Sequence, residues 1–136
     1  MRGLLNRARY VSFATFRKTG VAVATPVWCA EDDGEFYLFS AAAAGKVKRL
    51  RNSSRARLAV CDAQGKLLGG WHEASAEIIM EPADVARALQ ILRAKYGWQM
   101  VLTDFFSRLT GRFKQRIYIR VRLHGEDEAS SVEDGR

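Results

Sequence analysis

Short β-like runs, joined by turns too tight to hold a helix, constrain this chain more than any other feature. YVSFATF at 10–16 is followed by the turn RKTG, VAVATPVWCA at 21–30 by EDDG, and EFYLFS then runs to residue 40. Connections this short join antiparallel neighbours, so the first forty residues predict a meander. Pro26 interrupts the second run. A proline cannot donate to a sheet ladder, which confines it to an edge, a strand start or a bulge. Either this strand lies at a sheet edge, or its freed backbone faces something other than a neighbouring strand.

AAAAGKVKRLRN breaks the strand pattern and predicts a short helix with Val47 and Leu50 on one face. RARLAVCD returns to strand, and 67–79 reads as a long strand bulged or bent at Gly69 and Gly70. EPADVARALQILRAKYG carries Pro82 near a helix start, Gly97 just past its end, and a stripe of Val85, Leu89 and Leu92. A second helical stretch is expected over about 98–110, with Val101, Phe105 and Leu109 aligned. RIYIRVRLH closes the chain's ordered part, with Ile117, Ile119, Val121 and Leu123 alternating. Six strands with inserted helices predict a mainly β fold, a small six-stranded antiparallel barrel, since closure removes exposed edges.

The chain has 136 residues, enough for one domain with one core. Residues 1–124 are expected to form it. The last twelve residues, 125–136, hold five of the 15 acids and one of the 22 basic residues, and read as a disordered tail. The body is therefore more basic than the overall charge of +7 conveys, which suits an anionic partner. No run is long enough for a membrane helix, and no signal peptide is evident, so the expected location is cytoplasmic. Cys29 and Cys61 offer neither a disulfide framework nor metal-ligand spacing, and His72 and His124 stand far apart. No metal site is expected, and no catalytic triad is nominated.

FSAAAAGKVKRLRNSSRAR carries the clearest functional signal. A small-residue loop leaves a strand and enters a helix whose first N–H groups and partial positive charge form an anion site. Lys46 stands at that end and Arg49 one turn on. Nucleic acid would want exposed aromatics interleaved with the basic residues, and 41–59 contains none. The strand bearing Arg116, Tyr118, Arg120 and Arg122 keeps a nucleic-acid-binding barrel as the weaker alternative. Trp28 and Trp71 are each read first as core residues, yet a planar ligand beside the phosphate site would need such apolar walls.

From Tyr10 to Ile79 these residues resemble the pyridoxamine 5'-phosphate oxidase-like split-barrel flavoproteins, particularly the short branch using the deazaflavin coenzyme F420. TPVW at 25–28, followed by GKVKRLR at 45–51, carries the likeness as a pair. Cys29 and the four alanines at 41–44 depart from the family's usual residues. The resemblance implies a split barrel, a homodimer with cofactor sites at its interface, and an F420 or FMN ring along Ala24, Thr25, Pro26, Val27 and Trp28. It places the phosphate arm on Ser40, Lys46 and Arg49, and Trp71, from its own position, is counted as a further candidate wall. The implied activity is hydride transfer to a small-molecule acceptor. A non-catalytic flavin or haem carrier on the same barrel is the alternative.

Overall fold

In a computed structural model, described for residues 5, 7–97, 99–100, 102 and 116–124, the chain forms one curled antiparallel sheet. The strands are β1 (Tyr10–Phe16), β2 (Ala22–Val27), β3 (Cys29–Asp32), β4 (Glu35–Ala41), β5 (Arg55–Cys61), β6 (His72–Ile79) and β7 (Arg116–Leu123). Helices α1 (Gly45–Asn52) and α2 (Pro82–Tyr96) are inserted between strands. The sheet has seven strands rather than the expected six, in the order β2-β1-β5-β6-β7-β4-β3.

The extra strand comes from the run containing Pro26. Residues 21–30 do not form one strand: the chain bends at Trp28, leaving β2 on one sheet edge and starting β3 on the opposite edge. That single covalent step brings the two edges of the curled sheet together. Pro26 stands opposite Ser12 of β1, and pairing with β1 continues to Val27. The proline therefore does not stop this ladder; it occupies an edge strand, where its missing N–H costs least. Gly69 and Gly70 likewise do not bulge a long strand. The segment 62–71 is a loop, tied to β5 by a bridge between Cys61 and Leu67, and β6 starts only at His72.

Alternation places Val11 and Phe13 of β1, Phe36 and Leu38 of β4, Leu58 of β5, and Ile119 and Val121 of β7 inside the curl. Val47 and Leu50, three apart on α1, are both buried, as the helical spacing predicts. The opposite parity of β3, β4 and β7 presents Ala30, Tyr37 and Tyr118 to α2, which buries Ala88, Leu92 and Tyr96 against them. Gly97 ends α2 at φ 57°, a conformation that favours glycine, and Gly34 turns the β3–β4 hairpin at φ 83°. The stretch expected as a second helix over 98–110, including Val101, Phe105 and Leu109, falls almost wholly outside the described residues. So does the tail at 125–136. No described helix is long and apolar enough to cross a membrane.

Candidate functional site

The curl does not close by hydrogen bonds. β4 pairs with β3 only as far as Leu38, opposite Cys29, while Phe39, Ser40 and Ala41 remain paired to β7 alone. Across the gap, β2 pairs with β1 alone. Two ladder edges therefore face a common split without bonding each other. A cavity of about 450 Å³ fills this split, lined by Tyr10, Pro26, Val27, Trp28, Phe39, Ser40, Ala41, Ala44 and Lys46. Its size falls within the range of small-molecule sites, and most of its lining is apolar or aromatic.

Its aromatic wall is built by stacking. Trp28 lies 4.6 Å from Tyr96 at an interplanar angle of 10°, and meets Phe39 edge-on at 6.5 Å. At the other end the lining becomes cationic. Ala44 precedes α1 with no side-chain cap, and the first helical turn holds no acid, so the helix's positive end is unopposed. Lys46 sits there half-buried. Burial, and then the charge of Arg49, hold its amine below the ordinary lysine value. Arg49 donates from Nε to Thr15 Oγ1 at 2.6 Å, and its guanidinium folds over Gly45. A Cβ at Gly45 would lie 2.7 Å from Arg49 Nη1, so glycine leaves room for that fold. Neither Lys46 nor Arg49 pairs with a carboxylate among the described residues.

Next to Pro26, the Thr25 hydroxyl is buried and lacks a hydrogen-bond partner among the described residues. Unmet buried hydroxyls are rare because each loses its water without replacement. The site thus combines a lysine without a paired carboxylate among the described residues, an uncapped helix start and flat aromatic walls, with the Thr25 hydroxyl next to it on β2. Chemically it can hold a planar apolar body ending in an anion.

Of the residues expected from sequence, Pro26, Val27, Trp28, Ser40 and Lys46 line this cavity together. Arg49 is joined to it through Gly45 and Lys46. Ala24 and Thr25 stand one step along β2, with Ala24 exposed. Trp71 is not brought to the cavity in this chain. It is 37% exposed in the loop before β6, because the strand that would have carried it starts one residue later. Tyr10, Phe39, Ala44 and the supporting Tyr96 were not anticipated. Ala88, Leu92 and Tyr96 do recur at helical spacing, which marks a buried face but not the partner across it.

On the face bearing Arg116, Tyr118, Arg120 and Arg122, these side chains are engaged within the chain. Tyr118 is 6% exposed beneath α2, Arg120 pairs with Glu77 and Asp84, and Arg122 pairs with Glu35. Arg116 lies over the Phe39 ring at 4.3 Å. Among the described residues no group of histidine, cysteine or acidic side chains could hold a metal. His124 instead bonds Ser75 Oγ through Nε2.

The family model described as pyridoxamine 5'-phosphate oxidase matches residues 1–127. The chain belongs to this family. No curated protein sequence matches it significantly. Among solved structures, it is similar to HutZ, the heme storage protein from Vibrio cholerae, with a TM-score of 0.67 and 9% identity, covering 90% of this chain and 88% of that one. It is also similar to an FAD-binding protein from Mesorhizobium loti, at TM-score 0.58 and 17% identity, over 90% of this chain and 84% of the other. A third similar structure is the conserved hypothetical protein Rv2991 from Mycobacterium tuberculosis, at 0.61 and 22%, over 89% and 79%. At these identities the likeness establishes the split-barrel fold.

Proposed function

We propose that this family member is an oxidoreductase that moves a hydride between a flavin-type cofactor and a small-molecule acceptor, with deazaflavin F420 ahead of FMN. The observation that carries the reading is the split itself: two unpaired ladder edges and flat aromatic walls converge on Lys46 and, beside it, Arg49, neither paired with a carboxylate among the described residues. When bound, the cofactor supplies the hydride chemistry, and the protein supplies position, electrostatics and exclusion of water.

Each residue then has a physical task. Lys46, Arg49 and Ser40 hold the phosphate, relieving the repulsion between the two cations and the unopposed helix end. Pro26, Val27, Trp28 and Phe39 flank the ring, and the free edges of β2 and β4 offer it backbone groups. Ala24, which adds no bulk at the edge, and Thr25, whose hydroxyl lacks a partner, complete that side. No side chain is assigned a proton-transfer role.

A homodimer belongs to the same proposal. Leu67, Leu68 and Trp71 are 41%, 63% and 37% exposed in a single loop. That loop touches the site, because a Cβ at Gly65 would meet Pro26 Cδ at 3.7 Å. Such a patch beside an open cavity suits a second copy, with Trp71 serving the site across the interface. The carrier alternative rests on the likeness to a heme storage protein, yet neither His72 nor His124 lines the cavity.

The absorption spectrum of the purified protein, with mass analysis of the small molecule it releases, tests the reading. A flavin or deazaflavin band supports it, and a haem Soret band replaces it with the carrier.

A further inference from the structure

Tyr96 takes no part in the cavity's lining, yet it bonds and stacks against the residues that shape it. Its hydroxyl accepts from Cys29 N at 2.8 Å and shares its single proton between Arg9 O at 3.0 Å and Cys29 O at 3.1 Å. Arg9 precedes β1 and Cys29 begins β3, so one phenol ties together the two strand starts that flank the bend at Trp28. Lys95 Nζ, from the same turn of α2, also donates to Cys29 O. The Tyr96 ring is 5% exposed and lies against Trp28, whose edge-on contact with Phe39 continues the wall. Burial raises the phenol's pKa far above the ordinary tyrosine range, so the hydroxyl stays a proton donor at every working pH.

We propose that Tyr96 is the positioning residue that fixes the plane of Trp28 and the width of the split, so that the cavity recognises a flat ring and not merely a phosphate. This rests on the reading of the split as a cofactor site. It assigns ring recognition to the end of α2 and anion recognition to the start of α1, as separable halves of one site. A stacked aromatic pair contributes beyond its buried area, and an unbonded Cys29 N–H would leave the bend unfixed.

The test compares wild type, Tyr96→Phe and Tyr96→Leu by titration with FMN and with inorganic phosphate, and by circular dichroism of the ligand-free proteins. Tyr96→Leu is expected to weaken FMN about tenfold, and Tyr96→Phe, which keeps the stack, about threefold, while phosphate affinity changes less than about twofold. The coupled aromatic dichroism of the Trp28–Tyr96 stack is expected to vanish in Tyr96→Leu and equally in Trp28→Leu, and to persist in Tyr96→Phe. Equal weakening of FMN and phosphate, or unchanged FMN binding in Tyr96→Leu, overturns the proposal. Should Tyr96→Leu not fold, the FMN-to-phosphate ratio in Tyr96→Phe decides. Should wild type bind neither FMN nor the deazaflavin coenzyme titrated in its place, the cofactor reading falls, and the dichroism still decides whether Tyr96 sets Trp28: a Trp28 signal unchanged in Tyr96→Leu refutes it.

Discussion

Two regions of the sheet treat charge in opposite ways. Where α2 covers the outer face, cations meet acids: Arg87 with Asp32, Arg120 with Glu77 and Asp84, Arg122 with Glu35. The Tyr37 hydroxyl joins the same network by donating to Glu35. At the split, Lys46 and Arg49 stand near one another at the start of α1 without a paired carboxylate among the described residues, and beside the split the Thr25 hydroxyl has no hydrogen-bond partner among them. The first region is satisfied within the chain and needs nothing else to explain it. The second costs folding energy as it stands, and an anion from outside the chain would offset that cost. The difference separates a face satisfied within the chain from the face proposed to bind a cofactor.

The largest effect that sharpens the contrast lies on the structural side. Leu92→Ala, under α2 at 0% exposure, should cost about 2–5 kcal/mol in denaturant unfolding through transfer and cavity terms. A loss under about 1 kcal/mol would mean that the apolar half of α2 does not anchor it.

Lys46→Ala comes next, and its effect should divide. Phosphate-bearing ligands should weaken about 10- to 100-fold, as for a charge-assisted contact, while unliganded stability holds or rises. The sign follows from the depressed amine pKa: a lysine whose folded pKa lies below its unfolded value opposes folding while charged, and that penalty fades as pH rises through the folded pKa. Arg122→Ala, an exposed pair, should change binding less than about twofold. By the same logic, anion affinity in wild type should fall as pH rises, starting below the usual lysine value of 10.5. Lys46→Arg should abolish that alkaline fall. An affinity that stays flat up to the usual lysine range would remove Lys46 from the site.

Gly45→Ala should produce a smaller and diagnostic split between stability and binding. Alanine favours the helix by about 0.5–1 kcal/mol over glycine, but its Cβ displaces the Arg49 guanidinium. Melting temperature should rise while phosphate affinity falls about threefold, within the worth of one charged hydrogen bond. Smallest of all is Arg87→Ala, whose pair with Asp32 is half exposed on both sides. It should cost far less stability than Leu92→Ala, shrink further in salt, and leave ligand binding untouched.

Much of this was legible in the sequence where the signal is local. β1 and β4 lie in short β-rich runs between tight turns, β7 alternates with period two, α1 shows its Val47–Leu50 stripe, α2 its Pro82, Gly97 and apolar stripe, and Lys46 its place after Gly45 at a helix start. What failed depends on distant closure. Nothing between Val21 and Ala30 says that the chain leaves one sheet edge at Val27 and joins the other at Cys29, because both halves are equally good strands. The loop before β6 was misread for a related reason, since Leu67 and Leu68 carry strand-like residues that bridge or bond β5 without forming a regular ladder. Tyr96 was beyond reach because its partner Cys29 lies 67 residues away. The split-barrel family was recognisable from TPVW and GKVKRLR, which sit on its two sides.

The most direct test titrates wild type and Lys46→Ala with the deazaflavin coenzyme and its phosphate-free parent, and with FMN and riboflavin. The account predicts that wild type prefers the phosphorylated member of at least one pair about tenfold or more, and that Lys46→Ala erases the preference while still binding the bare ring. Equal affinity of wild type for both members of each pair would contradict it.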